Sequence, residues 1–269
     1  MKRKTVVAGL FYPKTKEELE KQISGFLSEI RIKKRYRIII SPHAGYIYSG
    51  KTQAYAISSL QKTNRIIILG PDHNSFGSGF SVCESDEWII PNGTCVVDRE
   101  LRNKILESGL VNLDENAHKH EHSIEVQLPF IKYIFKKFTF LPISISSYGY
   151  DDYLINKCRR IGEVIANIMN EEEICMIISS DFTHYMPLDI ARKMDKKALD
   201  KIKCLDMKGF FKVLEDMNAS ICGYVGIAVA ITTAKKLNLN SVDVIHSSSS
   251  GDLNKDYSSV VTYYAVGFR

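Results

Sequence analysis

The chain has 269 residues, 45% of them hydrophobic and 25% charged, which is the make-up of a folded globular protein and excludes disorder for most of its length. Its 16 glycines and 7 prolines are too few for a fibrous or low-complexity chain, and no period of roughly 20 to 50 residues repeats. Thirty-six Lys and Arg against 31 Asp and Glu leave a net charge of +5, scattered in short clusters such as Lys33-Lys34-Arg35 and Lys136-Lys137. A nucleic-acid-binding face concentrates its cations in a dense stripe instead, so no nucleic-acid partner is expected.

The N-terminal MKRKTVVAGLFYP holds too short an apolar stretch for a signal peptide. No run approaches the roughly 18–20 apolar residues of a membrane span, so a cytoplasmic protein without a membrane partner is expected. Ile38-Ile39-Ile40 reads as a strand, 51–60 as a helix and Ile66-Ile67-Ile68-Leu69 as a second strand, a βαβ pattern whose continuous apolar runs suit parallel strands buried on both faces. The stretch 80–97, with Trp88-Ile89-Ile90 and Pro91-Asn92-Gly93, reads as a β-hairpin excursion. Residues 117–125 open an amphipathic helix that reaches Phe130.

Strand 138–145, helix 153–169 and strand 174–178 come next, then helices at 188–202, at 207–217 and after Cys222. Runs 242–245 and 260–268 complete the sheet, with the serine cluster Ser247 to Ser250 between them. The fold class is α/β: a mixed, mainly parallel central sheet with helices on both faces, in one domain over residues 1–269. The six cysteines Cys83, Cys95, Cys158, Cys175, Cys204 and Cys222 form no C-x-x-C pair and read as reduced thiols, all but Cys222 in the core.

Three apolar runs end alike: RIII before SPHAGY, RIIILG before PDHN, ICMIIS before SDFTHY. Each strand thus delivers titratable residues beyond its carboxyl end, His43, then Asp72 and His73, then Asp181 and His184. That is where open α/β sheets bind ligands. Gly45 and Gly70 are read as letting the backbone turn sharply beside these histidines. Imidazole is both the commonest neutral metal ligand and the side chain that titrates near neutrality, and two histidines with a carboxylate or thiolate make a catalytic metal site. In AHKHEHSIE, His118 and His120 read as solvated, whereas His122, three residues before Glu125, is read as facing the crevice. No G-x-S-x-G, phosphate loop or dinucleotide fingerprint occurs.

VAGLFYP, SPHAGYIYSG, ILGPDHN, EHSIEVQLPF, SSDFTHY, Cys222-Gly223 and SSGD run in this order over essentially the whole chain. Together they resemble the Memo family, whose archaeal and bacterial members are often called AmmeMemoRadiSam system protein B. That family is similar in fold to class III extradiol dioxygenases of the protocatechuate type, which are non-haem iron enzymes. The resemblance implies His43, His73 and Cys222 as metal ligands, His184 as acid/base, and Asp181 and His122 lining the same pocket. The implied cofactor is one metal ion, iron or copper, with zinc as a further option. A thiolate in place of the dioxygenases' carboxylate shifts metal preference and puts ring cleavage in question. Cys222 before Gly223 at a helix start is read as favouring that thiolate.

The leading reading is a metal-dependent redox or oxygen-using enzyme of unknown substrate. The alternative is a peptide-binding adaptor with a vestigial metal pocket, Tyr46, Tyr48 and Trp88 supplying an aromatic surface at the crevice mouth. The family name also implies a pathway shared with radical-SAM and AMMECR-type proteins. The chain itself lacks the clustered cysteines of a radical-SAM iron–sulfur site.

Overall fold

The computed structural model describes residues 1–146 and 148–269. Its strands are β1 (Lys2–Lys4), β2 (Ile38–Ser41), β3 (Arg65–Pro71), β4 (Gly79–Val82), β5 (Glu87–Ile90), β6 (Gly93–Val97), β7 (Asn112–Leu113), β8 (Thr139–Ser146), β9 (Ile174–Ser179), β10 (Val242–Ser249) and β11 (Thr262–Phe268). Its helices are α1 (Lys16–Leu27), α2 (Tyr46–Ser58), α3 (Arg99–Glu107), α4 (Asn116–Lys119), α5 (Leu128–Phe135), α6 (Asp152–Glu171), α7 (Leu188–Lys203), α8 (Met207–Met217), α9 (Tyr224–Lys236) and α10 (Gly251–Asn254).

The sheet runs β1-β5-β6-β8-β3-β9-β2-β11-β10. Its centre, β6-β8-β3-β9-β2, is parallel, and β11 and β10 add antiparallel pairings at one side. The mixed, mainly parallel sheet is therefore as expected. Strands β2 and β3 are parallel but not neighbours, because β9 lies between them and pairs with both. This insertion puts the carboxyl ends of β2, β9 and β3 side by side.

Strand alternation sorts the core. Ile38, Ile40, Ile67, Leu69, Met176 and Ile178 face one layer, packed with residues of α6, α7, α8 and α9. Ile39, Ile66, Ile68 and Ile177 face the other, with residues of α1, α2 and α5. Each of these isoleucines is fully buried, worth roughly 1.5–3 kcal/mol apiece against leaving it in water. Among the described residues, no helix is long and apolar enough to cross a membrane.

Four local expectations change. The hairpin is β5–β6 alone, since β4 pairs antiparallel with the end of β8. The serine cluster belongs largely to β10, which pairs through Ser249 with Thr262. The 117–130 stretch is not one helix: α4 stops at Lys119, residues 120–124 form a loop, and a 3-10 turn at Glu125–Gln127 leads into α5. The loop exists because Glu121 and Ser123 turn inward instead of continuing the helix. Cys204 is exposed at the end of α7, while Cys83, Cys95, Cys158 and Cys175 are buried, and burial pushes those four thiols up to about 12.

Candidate metal centre

His43 follows β2 in the turn that leads into α2, whose first amide, at Tyr46, donates to Phe11 O at 2.8 Å. The imidazole is 2% exposed. Its Nδ1 lies 2.8 Å from Ser179 Oγ, and that hydroxyl donates its one proton to Ser123 O at 2.7 Å while accepting from Gln127 Nε2 at 2.9 Å. A hydroxyl has one donor and two acceptor positions, so Ser179 has only an acceptor left for His43. The ring therefore carries its proton on Nδ1 and presents a bare Nε2, 3.3 Å from Cys222 Sγ. Burial, then repulsion by His73, His122 and His184, holds this imidazole well below its ordinary pKa, in the neutral form a metal needs.

His73 follows β3. Its backbone N–H donates to Glu121 Oε2 at 2.6 Å, and its Nδ1 lies 3.0 Å from Glu121 Oε1. Glu121 Oε1 also accepts from the backbone N–H groups of His122 and Ser123, each at 2.8 Å. Burial disfavours a charge on His73, but the Cys222 sulfur and the Glu121 carboxylate outweigh it and raise the ring to about 10. A carboxylate that fixes the outer nitrogen of a histidine is the usual orienting device of metal sites.

Cys222 sits between α8 and α9, its sulfur accepting from the Asp181 backbone N–H at 3.1 Å. Gly223 beside it allows the approach: a Cβ there would meet Ser179 O and Ser180 Cβ at 2.5 Å. Gly70 does the same for the Glu121 loop, since a Cβ would stand 2.5 Å from Ser123 Oγ. Gly45 and Gly70 adopt no left-handed backbone, so close approach rather than a sharp turn explains Gly70. Burial pushes the Cys222 thiol up, and the hydrogen bond from His73 opposes it. The expected effect of the helix start is thus outweighed by burial, and a cation is what would favour the thiolate here.

The ligand atoms of His43, His73 and Cys222 all lie within 4.8 Å of one another. A second group, His73, Glu121 and His122, meets the same distance, but Glu121 Oε1 is already committed to two backbone donors and to His73 Nδ1. Its lone pairs are used in orienting, which favours the first group. The donor set, two imidazoles and a thiolate from separate elements, fits one soft or borderline divalent ion with positions to spare.

The remaining expected residues gather around this triangle. His122 stacks on His73 at 4.7 Å between ring centroids and meets Phe11 edge-on at 4.8 Å. Asp181 is buried and accepts from the His43 backbone N–H at 2.9 Å, and burial pushes its carboxyl up. His184 is half-buried, its Nδ1 donating to Ser220 O at 2.6 Å, and its Nε2 has no hydrogen-bond partner among the described residues. Several readings are corrected. His118 is buried, not solvated, with Nε2 donating to Ser81 O at 3.0 Å. Tyr46 and Trp88 are each 1% exposed and form no surface; Tyr46 turns inward to donate to Val126 O, and Trp88 lies under Arg3. Of that trio only Tyr48 is exposed.

The sequence profile of the Memo-like protein family matches residues 3–267. The chain belongs to this Memo-like family. It is 37% identical over 268 residues to a MEMO1 family protein of Methanosarcina barkeri, with 98% of each chain covered. To a MEMO1 family protein of Aquifex aeolicus it is 38% identical over 270 residues, covering 99% of this chain and 98% of the other. Its fold is similar to the crystal structure of an uncharacterized protein of Escherichia coli K12, with a TM-score of 0.56 at 12% identity over 87% of this chain and all of that one.

Sequence reading passed over Glu121, Ser179 and Gln127 as orienting residues. Glu121 has a signal, a carboxylate that opens the EHSIE motif between His120 and His122. Ser179 and Gln127 lie inside the SSDFTHY and EHSIEVQLPF motifs, but nothing local there points to a hydroxyl and an amide that pair across the fold.

Proposed function

We propose that this Memo-like protein is a metal-dependent redox or oxygen-using enzyme, its ion being iron or copper. The observation that carries the reading is the convergence of His43 Nε2, His73 and Cys222 Sγ from three separate elements within 4.8 Å. Two of these ligands have their outer nitrogens held by Ser179 and Glu121, the arrangement that orients metal-bound imidazoles. The resemblance to class III extradiol dioxygenases supports oxygen chemistry, while the thiolate argues against ring cleavage itself. When bound, such an ion would supply one-electron and Lewis-acid chemistry at the positions three protein ligands leave open.

The chain's own residues divide the rest of the work. His184 Nε2 has a free lone pair with which to take and return a proton at a substrate hydroxyl. His122 holds one wall of the crevice and orients what enters. Asp181 accepts from the His43 amide and through its own amide fixes the Cys222 sulfur. The test is metal content of tag-free protein beside His43→Ala and Cys222→Ser, with oxygen uptake measured on a catechol-type reductant. About one ion per chain, lost in both variants together with oxygen uptake, supports the reading. Equal metal content in all three proteins sinks it.

A further inference from the structure

Arg3 stands on β1 at the edge of the sheet, yet it is only 5% exposed. Its Nε donates to His118 O at 2.7 Å and its Nη2 to Glu121 O at 2.5 Å, so one planar group pins both ends of the segment 118–121. Nη1 meets Glu125 Oε2 at 2.8 Å, and the Trp88 ring lies 4.0 Å beneath the guanidinium carbon. Glu125 is saturated in turn by the backbone N–H groups of Val6 and Val7 and by Tyr12 OH. The ion pair is sealed, with side-chain exposures of 3% and 0%. Burying two charges is expensive, and apolar side chains would close a sheet edge at less cost. What apolar side chains could not do is hold the carbonyls of His118 and Glu121 in one plane.

We propose that Arg3 is the positioning residue of the metal centre: its guanidinium fixes the backbone of Glu121, Glu121 fixes the His73 ring, and metal affinity therefore depends on residue 3. This rests on the metal-binding reading above. Arg3 contacts none of the three ligands, so it acts only through Glu121. Lysine cannot replace it, because an ammonium lacks the fork that reaches two carbonyls and a carboxylate together.

The probe is cobalt(II), its affinity read by chelator competition and its ligation of Cys222 by the thiolate-to-cobalt absorption band. Arg3→Lys is expected to weaken cobalt binding about 10- to 100-fold with the band retained, the range for loss of an orienting partner. Glu121→Gln should do the same, and the double variant should bind no more weakly than Glu121→Gln alone. Hydrogen exchange at the His122 and Ser123 amides, both donors to Glu121, should quicken in Arg3→Lys by more than its loss of global stability explains. Glu125→Gln, which releases one arm of the fork at constant volume, should show the same signs at smaller size where Arg3→Lys is too unstable to purify.

Wild-type affinity in Arg3→Lys overturns the proposal, and so do additive effects in the double variant, which would mark mere destabilisation. A band in the wild type that Cys222→Ser abolishes upholds the metal reading whatever the Arg3 variants do. No band in the wild type is the failure of that reading. The amide exchange rates then decide the Arg3–Glu121 link on their own, unchanged rates overturning it.

Discussion

Ser179 Oγ lies 2.8 Å from His43 Nδ1 and, with its proton given to Ser123 O, can only accept there. Ser179→Ala removes that acceptor, takes the donor from Ser123 O and leaves Gln127 Nε2 with Pro42 O as its remaining partner. We expect a loss of about 1–3 kcal/mol in stability from the unpaired buried groups. Metal affinity should fall about 10- to 100-fold because the His43 tautomer is no longer fixed. Urea unfolding and chelator competition on the same sample measure both.

Two glycine substitutions should have opposite signs. At Gly70 a Cβ would stand 2.5 Å from Ser123 Oγ and 2.8 Å from Ile124 Cγ1, so Gly70→Ala must displace the Glu121 loop and cost about 1–3 kcal/mol. At Gly25, exposed within α1, a Cβ meets nothing within 4 Å. Gly25→Ala should stabilise by about 0.5–1 kcal/mol through helix propensity. Thermal or urea denaturation of the pair decides; equal effects would be the failing result.

In the core, Ile177→Ala opens a space in the layer shared with Ile39 and Ile68. A loss of about 2–5 kcal/mol in urea unfolding is expected. Metal binding per folded molecule should change far less than stability, since Ile177 lies in the core layer one pleat repeat below Ser179 and supplies none of the three ligand atoms.

Acid should weaken the fold through His118. Burial lowers this imidazole to about 4 from an unfolded value near 6.5. Between those two values the unfolded chain binds a proton that the folded one does not, so stability falls as pH drops from about 6.5 to about 4. The full loss from this one group, roughly 3 kcal/mol, is present only below the lower value. His43 is shifted in the same direction, so the check is a difference: urea midpoints at pH 7, 5 and 4 should depend less on pH in His118→Gln than in the wild type.

Thiol labelling should sort the cysteines by surroundings. Cys204 is exposed, Cys222 half-buried and the other four buried. A small alkylating reagent should modify Cys204 first and Cys222 more slowly, and added cobalt or zinc should protect Cys222 alone. Peptide mass mapping of timed samples reads this out. Protection of Cys204 by metal would contradict the assignment.

The parts of the centre that could be read in advance lie at the ends of buried strands. An apolar run such as Ile38-Ile39-Ile40 announces a parallel strand, and the residues just beyond its last turn of pleat, Pro42 and His43, must lie at the carboxyl edge. The parts that could not be read depend on pairings across the chain. Arg3 reaches Glu125 over 122 residues, and nothing local distinguishes it from Lys2 or Lys4, which are exposed. The burial of His118 is not legible locally, because polarity of neighbours such as Lys119 says little about a side chain that finds a carbonyl, Ser81 O, inside the fold. The break after Lys119 escaped the helical pattern because tertiary demand on Glu121, not propensity, ends that helix.

The insertion of β9 between β2 and β3 also sets a timetable. His43 and His73 leave the ribosome early, but their strands acquire their common neighbour only when residues 174–179 have emerged, and the thiol comes later still, at residue 222. A nascent chain therefore holds His43 and His73 without the Cys222 sulfur until residue 222 has emerged. Ion capture with all three donors must follow near-complete translation, and a bound ion is a certificate that long-range folding has finished.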